Sequence, residues 1–231
     1  MSTPALTTLS RTLLRQRPYG VLATHSQKMP DFPFASVVPY VTDAAGYPLF
    51  CMSTLAEHTQ NILANPHASF LVYEGGQDVS AQARLTLVGQ VLPCLLDAET
   101  KARFLRYLPD TTDYLQLGDF AFYRFIAQKL RYIGGFGHMG WHDAESLYLS
   151  QPLSHDCENQ LLAAAQTQQT TWTWLGADGE GIDYLCPHPE NNALLRKRLA
   201  FSFSDTQWIN PDIALRNFLD QTLLTQAGTR A

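Results

Sequence analysis

The chain has 231 residues, 45% of them hydrophobic and 16% charged, with 16 basic and 21 acidic side chains for a formal net charge of −5. This is the composition of a globular protein with a substantial core, in one large domain or two modest ones. It argues against nucleic acid as the main partner, and no apolar run approaches the ~20 residues that cross a bilayer.

Residues 1–17 lack the apolar centre of a secretory signal. Cys51, Cys94, Cys157 and Cys186 are widely spaced and form no CxxC pair. They read as reduced thiols of a cytoplasmic protein, not as a disulfide or zinc framework. Leu6, Leu9, Leu13 and Leu14 recur at helical spacing and predict a first helix over residues 4–17. A strand follows over 19–24, then a loop at Pro30 and Pro33, then a β-branched and aromatic strand over 34–41. A turn from Asp43 to Gly46 leads into a strand over 47–52, which is a hairpin signature.

Thr54 and Glu57 match a capping box, so a helix is expected from residue 54. Leu55, His58 and Ile62 would share its inner face, and Asn65-Pro66 would stop it. Strands are expected over 68–73 and 83–91, helices over 97–108 and 111–117, and two further strands over 120–125 and 131–136. The strand-to-strand links are too short for repeated crossovers, so the pattern fits an antiparallel barrel with inserted helices.

Composition changes near residue 150. A polar, alanine-rich helix over 153–168 is followed by short strands over 170–175 and 181–186 around a turn at Ala177-Asp178-Gly179. A third strand is expected over 199–203, and a last helix from Asn210 to about residue 225. Arg196-Lys197-Arg198 reads as a solvated face. The chain thus divides into a barrel domain over 1–150 and a small α+β domain over 151–231.

Charge is distributed unevenly. Between Lys28 and Arg84 there is no lysine or arginine, and Asp31, Asp43, Glu57, Glu74 and Asp78 account for the whole net charge.

Three segments carry a family resemblance. They are Thr24 to Tyr40 (THSQKMPDFPFASVVPY), Met52 to Asn61 (MSTLAEHTQN), and Arg131 to Gly137 (RYIGGFG) preceded by Gly118-Asp119-Phe120. Together they resemble the pyridoxamine-5′-phosphate-oxidase-like, FMN-binding split barrels, and more narrowly their haem-utilisation branch of HugZ- and HutZ-like proteins. The resemblance covers roughly residues 5–150, and the tail is similar to the small α+β domain often appended in that branch. It implies a mainly β split barrel acting as a homodimer, with ligand sites at the subunit interface.

Flavin-dependent members of that family hold the FMN phosphate with arginine and lysine, which bind a dianion through charge-assisted hydrogen bonds. Those side chains come from the strand matching residues 35–40 and from the start of the next helix. Here the positions fall on neutral residues near Ala35 and Tyr40, and on Glu57 and His58. An acid there repels a phosphate by on the order of 1 kcal/mol or more at close range. Arg84 or a residue of the second subunit is left to compensate.

The candidate site residues follow from the same segments. His58 and Asn61 match the family's Ala-x-His-x-x-Asn motif at Ala56, His58 and Asn61, and Ser53 precedes it. His58 reads either as a pocket residue or as a packed, hydrogen-bonded histidine. Arg84 reads as a ligand anchor or an interface ion pair. Asp119 reads as a carboxylate that orients an iron-ligating histidine, or as a turn acid. Neutral imidazole is a good iron ligand, so His138, His142 and His155 are candidate haem-iron ligands, of which at most one is expected to serve. His138 and His142 stand i, i+4 after the glycine run 134–137. His155 falls where the family has His-Met-Asn-x-x-His, and here the second histidine is missing.

The resemblance therefore implies a haem-binding protein of haem and iron utilisation, with haem degradation as its candidate reaction. The alternatives are an FMN-dependent oxidoreductase and a non-catalytic ligand-binding dimer. No nucleic-acid or membrane partner is expected.

Overall fold

The computed structural model describes residues 3–76, 78, 82–134, 139–149, 152–168, 171–188 and 193–201. The chain divides into two compact units, 1–150 and 151–231. The predicted helix after Asn210, the glycines at 135 and 137, and His138 lie outside the described residues.

The first unit is one curled antiparallel sheet with helices, the split barrel expected from the sequence. Helix α1 (Thr3–Gln16) is followed by strands β1 (Tyr19–His25), β2 (Pro33–Pro39), β3 (Val41–Thr42) and β4 (Pro48–Ser53). Next come helix α2 (Glu57–Ala64), strands β5 (His67–Tyr73) and β6 (Ala83–Pro93), helices α3 (Ala98–Tyr107) and α4 (Thr111–Gln116), and strands β7 (Phe120–Gly134) and β8 (Met139–Asp143). The strand order is β2-β1-β5-β6-β7-β4-β3, with β8 also paired to β7. Leu22, Phe50, Phe70, Val72, Leu85, Leu87 and Phe125 are fully buried at its centre. Tyr40 packs edge-on against Phe70, at 4.9 Å between ring centroids, and its hydroxyl donates to the Leu14 carbonyl at 2.6 Å, fixing α1.

Two sequence expectations change here. Residues 120–134 form one strand, not two. Its buried positions are 123, 125 and 127, then 130 and 132. The phase slips at Gln128, where the β6–β7 register shifts between Val88 and Gly89. A bulge of one residue reverses the alternation and so mimics a break in sequence.

The second correction concerns α2, which starts at Glu57 rather than Thr54, and Leu55 is 79% exposed. Ser53 Oγ accepts from the Leu55 amide at 3.1 Å, and the Ala56 amide bonds the Ser53 carbonyl. A hydroxyl-stabilised turn therefore occupies the place of the capping box.

In the second unit, helix α5 (His155–Gln168) packs on a sheet of order β11-β10-β9, with β9 at Thr173–Asp178, β10 at Gly181–Pro187 and β11 at Leu194–Ala200. Ser154 Oγ accepts from the Cys157 amide at 3.2 Å and caps α5. The turn after β9 falls one residue later than expected, with the Glu180 amide donating to Asp178 Oδ1 at 2.7 Å. Arg198 is not solvated. Its side chain is 2% exposed and donates to Asp178 Oδ1 at 2.6 Å and Asp183 Oδ1 at 2.9 Å. These two buried carboxylates raise the Arg198 pKa above its ordinary value against the cost of burial.

Candidate functional site

Curling brings β2, at one end of the sheet, towards β4 near the other. A cavity of about 610 Å3 lies in this split. Val37, Val38 and Pro39 of β2 form one wall, and Cys51, Met52 and Ser53 of β4 form another. Ala56 and His58 bring in the start of α2. Phe104, Tyr107, Leu108, Pro109, Thr111 and Tyr114 cover it from α3 and α4. Its volume suits a mid-sized organic ligand. Among the described residues the lining contains no lysine or arginine, and its one acid is Asp110.

The α3 wall is held rigidly. Asp97 caps α3 through the Thr100 amide at 2.6 Å. The buried Arg103 donates from Nε to the Thr42 carbonyl at 3.1 Å.

His58 is half-buried. Its Nδ1 lies 3.2 Å from Ser36 Oγ, which leaves Nε2 as the nitrogen available to a ligand. Burial pushes its pKa below the ordinary histidine value, so the imidazole is neutral at pH 7. Cys51 is pushed up to about 11 by burial, and its protonated thiol is part of the apolar wall. Ser53 Oγ donates to Asp119 Oδ2 at 2.5 Å, and the Thr54 amide donates to the Asp119 carbonyl at 2.7 Å. Ser53 and His58 thus both line the split, and Asp119 stands behind Ser53.

The other expected residues lie elsewhere. Asn61 is 1% exposed; its Nδ2 donates to Thr24 Oγ1 at 3.0 Å and its Oδ1 accepts from the Gln27 amide at 2.9 Å. It ties the β1–β2 loop to α2. Arg84 pairs with Tyr73 and Ile133, whereas the cavity lies at the Phe120 end of β7. Those two ends of β7 are 13 residues apart, roughly 43 Å of strand at ~3.3 Å per residue.

His142 lies within β8, not beyond a strand end, in a second cleft of about 900 Å3 with Lys129, Trp141, Glu145 and Tyr148. Its Nε2 is buried without a hydrogen-bond partner. This cleft is the larger, but it lies along a strand whose Trp141 is 56% exposed, so the apolar split is the better enclosed site. His155 opens α5 in the second unit, with Nδ1 3.8 Å from Glu158 Oε2.

Sequence reasoning missed Ser36 and the whole α3–α4 wall. The recurrence of Phe104, Tyr107, Leu108 and Thr111 at helical spacing was the signal available for the wall.

Rows of paired residues explain part of the charge gap. Val37, Val21, Leu71 and Thr86 lie side by side on the face of the sheet turned away from the core, as do Ala35, Ala23, Ser69 and Val88. Tyr19 and Tyr73 extend this face and are 58% and 44% exposed. Charge begins only at its border, with Arg84 beside Tyr73 and with Lys129 and Arg131 on β7.

Known proteins place this architecture. The Arabidopsis thaliana chloroplastic protein named non-canonical heme oxygenase HOZ is 36% identical over 127 residues, 54% of this chain and 39% of that one. The chain thus matches well under half the length of that relative. A protein of unknown function from Agrobacterium tumefaciens superposes with a TM-score of 0.69 at 20% identity, over 95% of both chains. A heme-binding protein from Mycobacterium smegmatis superposes with a TM-score of 0.59 at 23% identity, over 96% of this chain and 98% of that one. The family described as "CREG, beta-barrel" matches residues 5–149. Its extent coincides with the curled sheet and its helices, and the chain belongs to that split-barrel family.

Proposed function

We propose that this protein binds haem in the cavity between β2 and β4, as a homodimer, and that haem handling, including its breakdown, is the activity the site serves. The observation that carries this reading is the lining: apolar walls, one neutral imidazole and the Ser53 hydroxyl, which Asp119 holds from behind, with no cation among the described lining residues. A flat apolar macrocycle gains from such walls by desolvation. A phosphate dianion finds no charge-assisted partner there, so the residues present do not fit FMN held by its phosphate. The 36%-identical relative named as a heme oxygenase supports the same choice.

Haem, when bound, supplies the iron-centred redox chemistry. The chain's own residues exclude water with Phe104, Tyr107 and Met52, orient the His58 ring through Ser36, and hold Asp119 through Ser53. A second copy packed on the uncharged sheet face carries its own Arg84 at the edge of the contact, as an anchor for the haem carboxylates. Val37 belongs to both that face and the cavity wall and is 67% exposed, so the face and the mouth are continuous.

The test is the visible spectrum of the purified protein on adding hemin or FMN. A Soret shift saturating at a fixed hemin stoichiometry is expected, with no response to FMN. A protein that is yellow and releases FMN on denaturation would sink the haem reading in favour of an FMN-dependent oxidoreductase. A response to neither ligand leaves a binding protein for another molecule. Alanine at His58, the one histidine of the described lining, or at His138, His142 or His155 should in one case remove the hemin-bound spectrum. Retention in all four shows that none of them is the iron ligand.

A further inference from the structure

Helix α2 opens onto the split cavity, since Ala56 and His58 both line it. Its N-cap residue, Ala56, makes no side-chain capping bond. The first-turn amides and helix dipole of such an end attract anions. Beside an apolar cavity this would favour a phosphorylated ligand. Glu57, the first residue of the helix, opposes that pull, and its Oε2 lies 2.7 Å from Lys28 Nζ. Lys28 is thereby held in an ion pair, and the amide and side chain of the neighbouring Gln27 bond to Asn61 and Gln60 of α2. Lys28 is thus paired with the acid that occupies the helix end, and both side chains stand beside the cavity rather than in its lining.

We propose that Glu57 is a specificity-determining residue that excludes phosphate monoesters from the split cavity, by countering the α2 dipole and by sequestering Lys28. The inference concerns what the cavity rejects, and rests on the site reading above only in taking this cavity as the ligand site. The Glu57–Lys28 pair is exposed enough that breaking it leaves the fold intact.

The experiment compares riboflavin with FMN, two ligands that differ by one phosphate, by flavin fluorescence quenching. Wild-type protein is expected to bind FMN no more tightly than riboflavin. Glu57→Gln should improve FMN binding relative to riboflavin by about tenfold, the size of one modest electrostatic contact. Adding Lys28→Ala to that variant should remove the part of the gain that the released lysine supplies and leave the part due to the helix dipole. Wild-type protein that prefers FMN tenfold, or a Glu57→Gln variant with an unchanged ratio or no FMN binding at all, overturns the proposal. Hemin titration of the same samples separates the two readings. Failure of wild-type protein to bind hemin defeats the haem assignment and leaves the Glu57 result standing, and the reverse outcome defeats only the role of Glu57.

Discussion

His58 and Asn61 come from one sequence motif and end in different roles. Asn61 spends both amide atoms inside the protein, on Thr24 and Gln27. Replacing it with alanine removes the bond that the Thr24 hydroxyl accepts and leaves the Gln27 loop amide without its partner, which costs about 1–3 kcal/mol. Asn61→Ala should therefore lower the urea midpoint clearly, and a variant as stable as wild type would return Asn61 to the ligand contacts. His58 makes a different prediction. Burial lowers its folded pKa below the unfolded value of about 6.5, so below that pH the unfolded chain takes up the proton more readily than the folded one. Its effect is absent at higher pH and grows into a loss of stability as the pH falls through 6.5 towards the folded value. The difference in urea midpoint between wild type and His58→Gln should thus shift against wild type on going from pH 7.5 to 5.5. A pH-independent difference would show His58 to be as solvated as in the unfolded chain. The motif made both residues visible, but not the direction in which each side chain points.

Elements were legible wherever periodicity was unbroken, as in α1, β1, β5 and α3, whose bounds differ from expectation by one or two residues. They were misread where a single residue changes phase. The bulge at Gln128 depends on Gly89, where a Cβ would stand 2.0 Å from the Ile126 carbonyl oxygen and 2.8 Å from Ala127 Cα. No side chain can yield there, because both neighbours are backbone. Gly89→Ala should force the longest ladder of the sheet apart, at a cost on the order of 3 kcal/mol or more, and appear as insoluble or weakly folded protein. A variant with an unchanged melting temperature would show that the ladder can shift register freely. Arg198 was misread for another reason. A basic triplet looks solvated in sequence, whereas its partners Asp178 and Asp183 lie 20 and 15 residues away and reach it only through strand pairing. Removing the arginine strands two buried acids, and truncation of one member of a buried ion cluster costs about 3–5 kcal/mol. Arg198→Ala should unfold the second unit at lower denaturant, read from the fluorescence of Trp172 and Trp174, which stack around Tyr184.

At the scale of the molecule the missing lysines and arginines take on a second meaning. The stretch from 29 to 83 supplies β2, β4 and the start of α2, which form one side of the cavity opposite the α3–α4 wall, and, in β2 and β5, two strands of the uncharged face. Its acids are consumed locally: Asp43 accepts from the Gly46 and Tyr47 amides and faces Arg124 at 3.4 Å, and Glu57 binds Lys28. What sequence comparison presents as a lost phosphate grip is thus also a sheet face kept free of charge. Such a continuous apolar and small-residue face is typical of a surface buried against a partner. Leu71 sits in its centre, between Val21 and Thr86. An arginine there points away from the core and leaves the fold intact, but a two-fold contact would bring two such charges together without counter-charge, which costs more than a rim substitution can. Light scattering should therefore give wild-type protein twice the chain mass of 25.8 kDa and Leu71→Arg the mass of one chain. If the contact also delivers Arg84 to the split, the same variant loses hemin affinity along with Arg84→Ala, although neither residue lines the cavity of its own copy. A monomeric Leu71→Arg protein with undiminished hemin binding would confine the site to one chain.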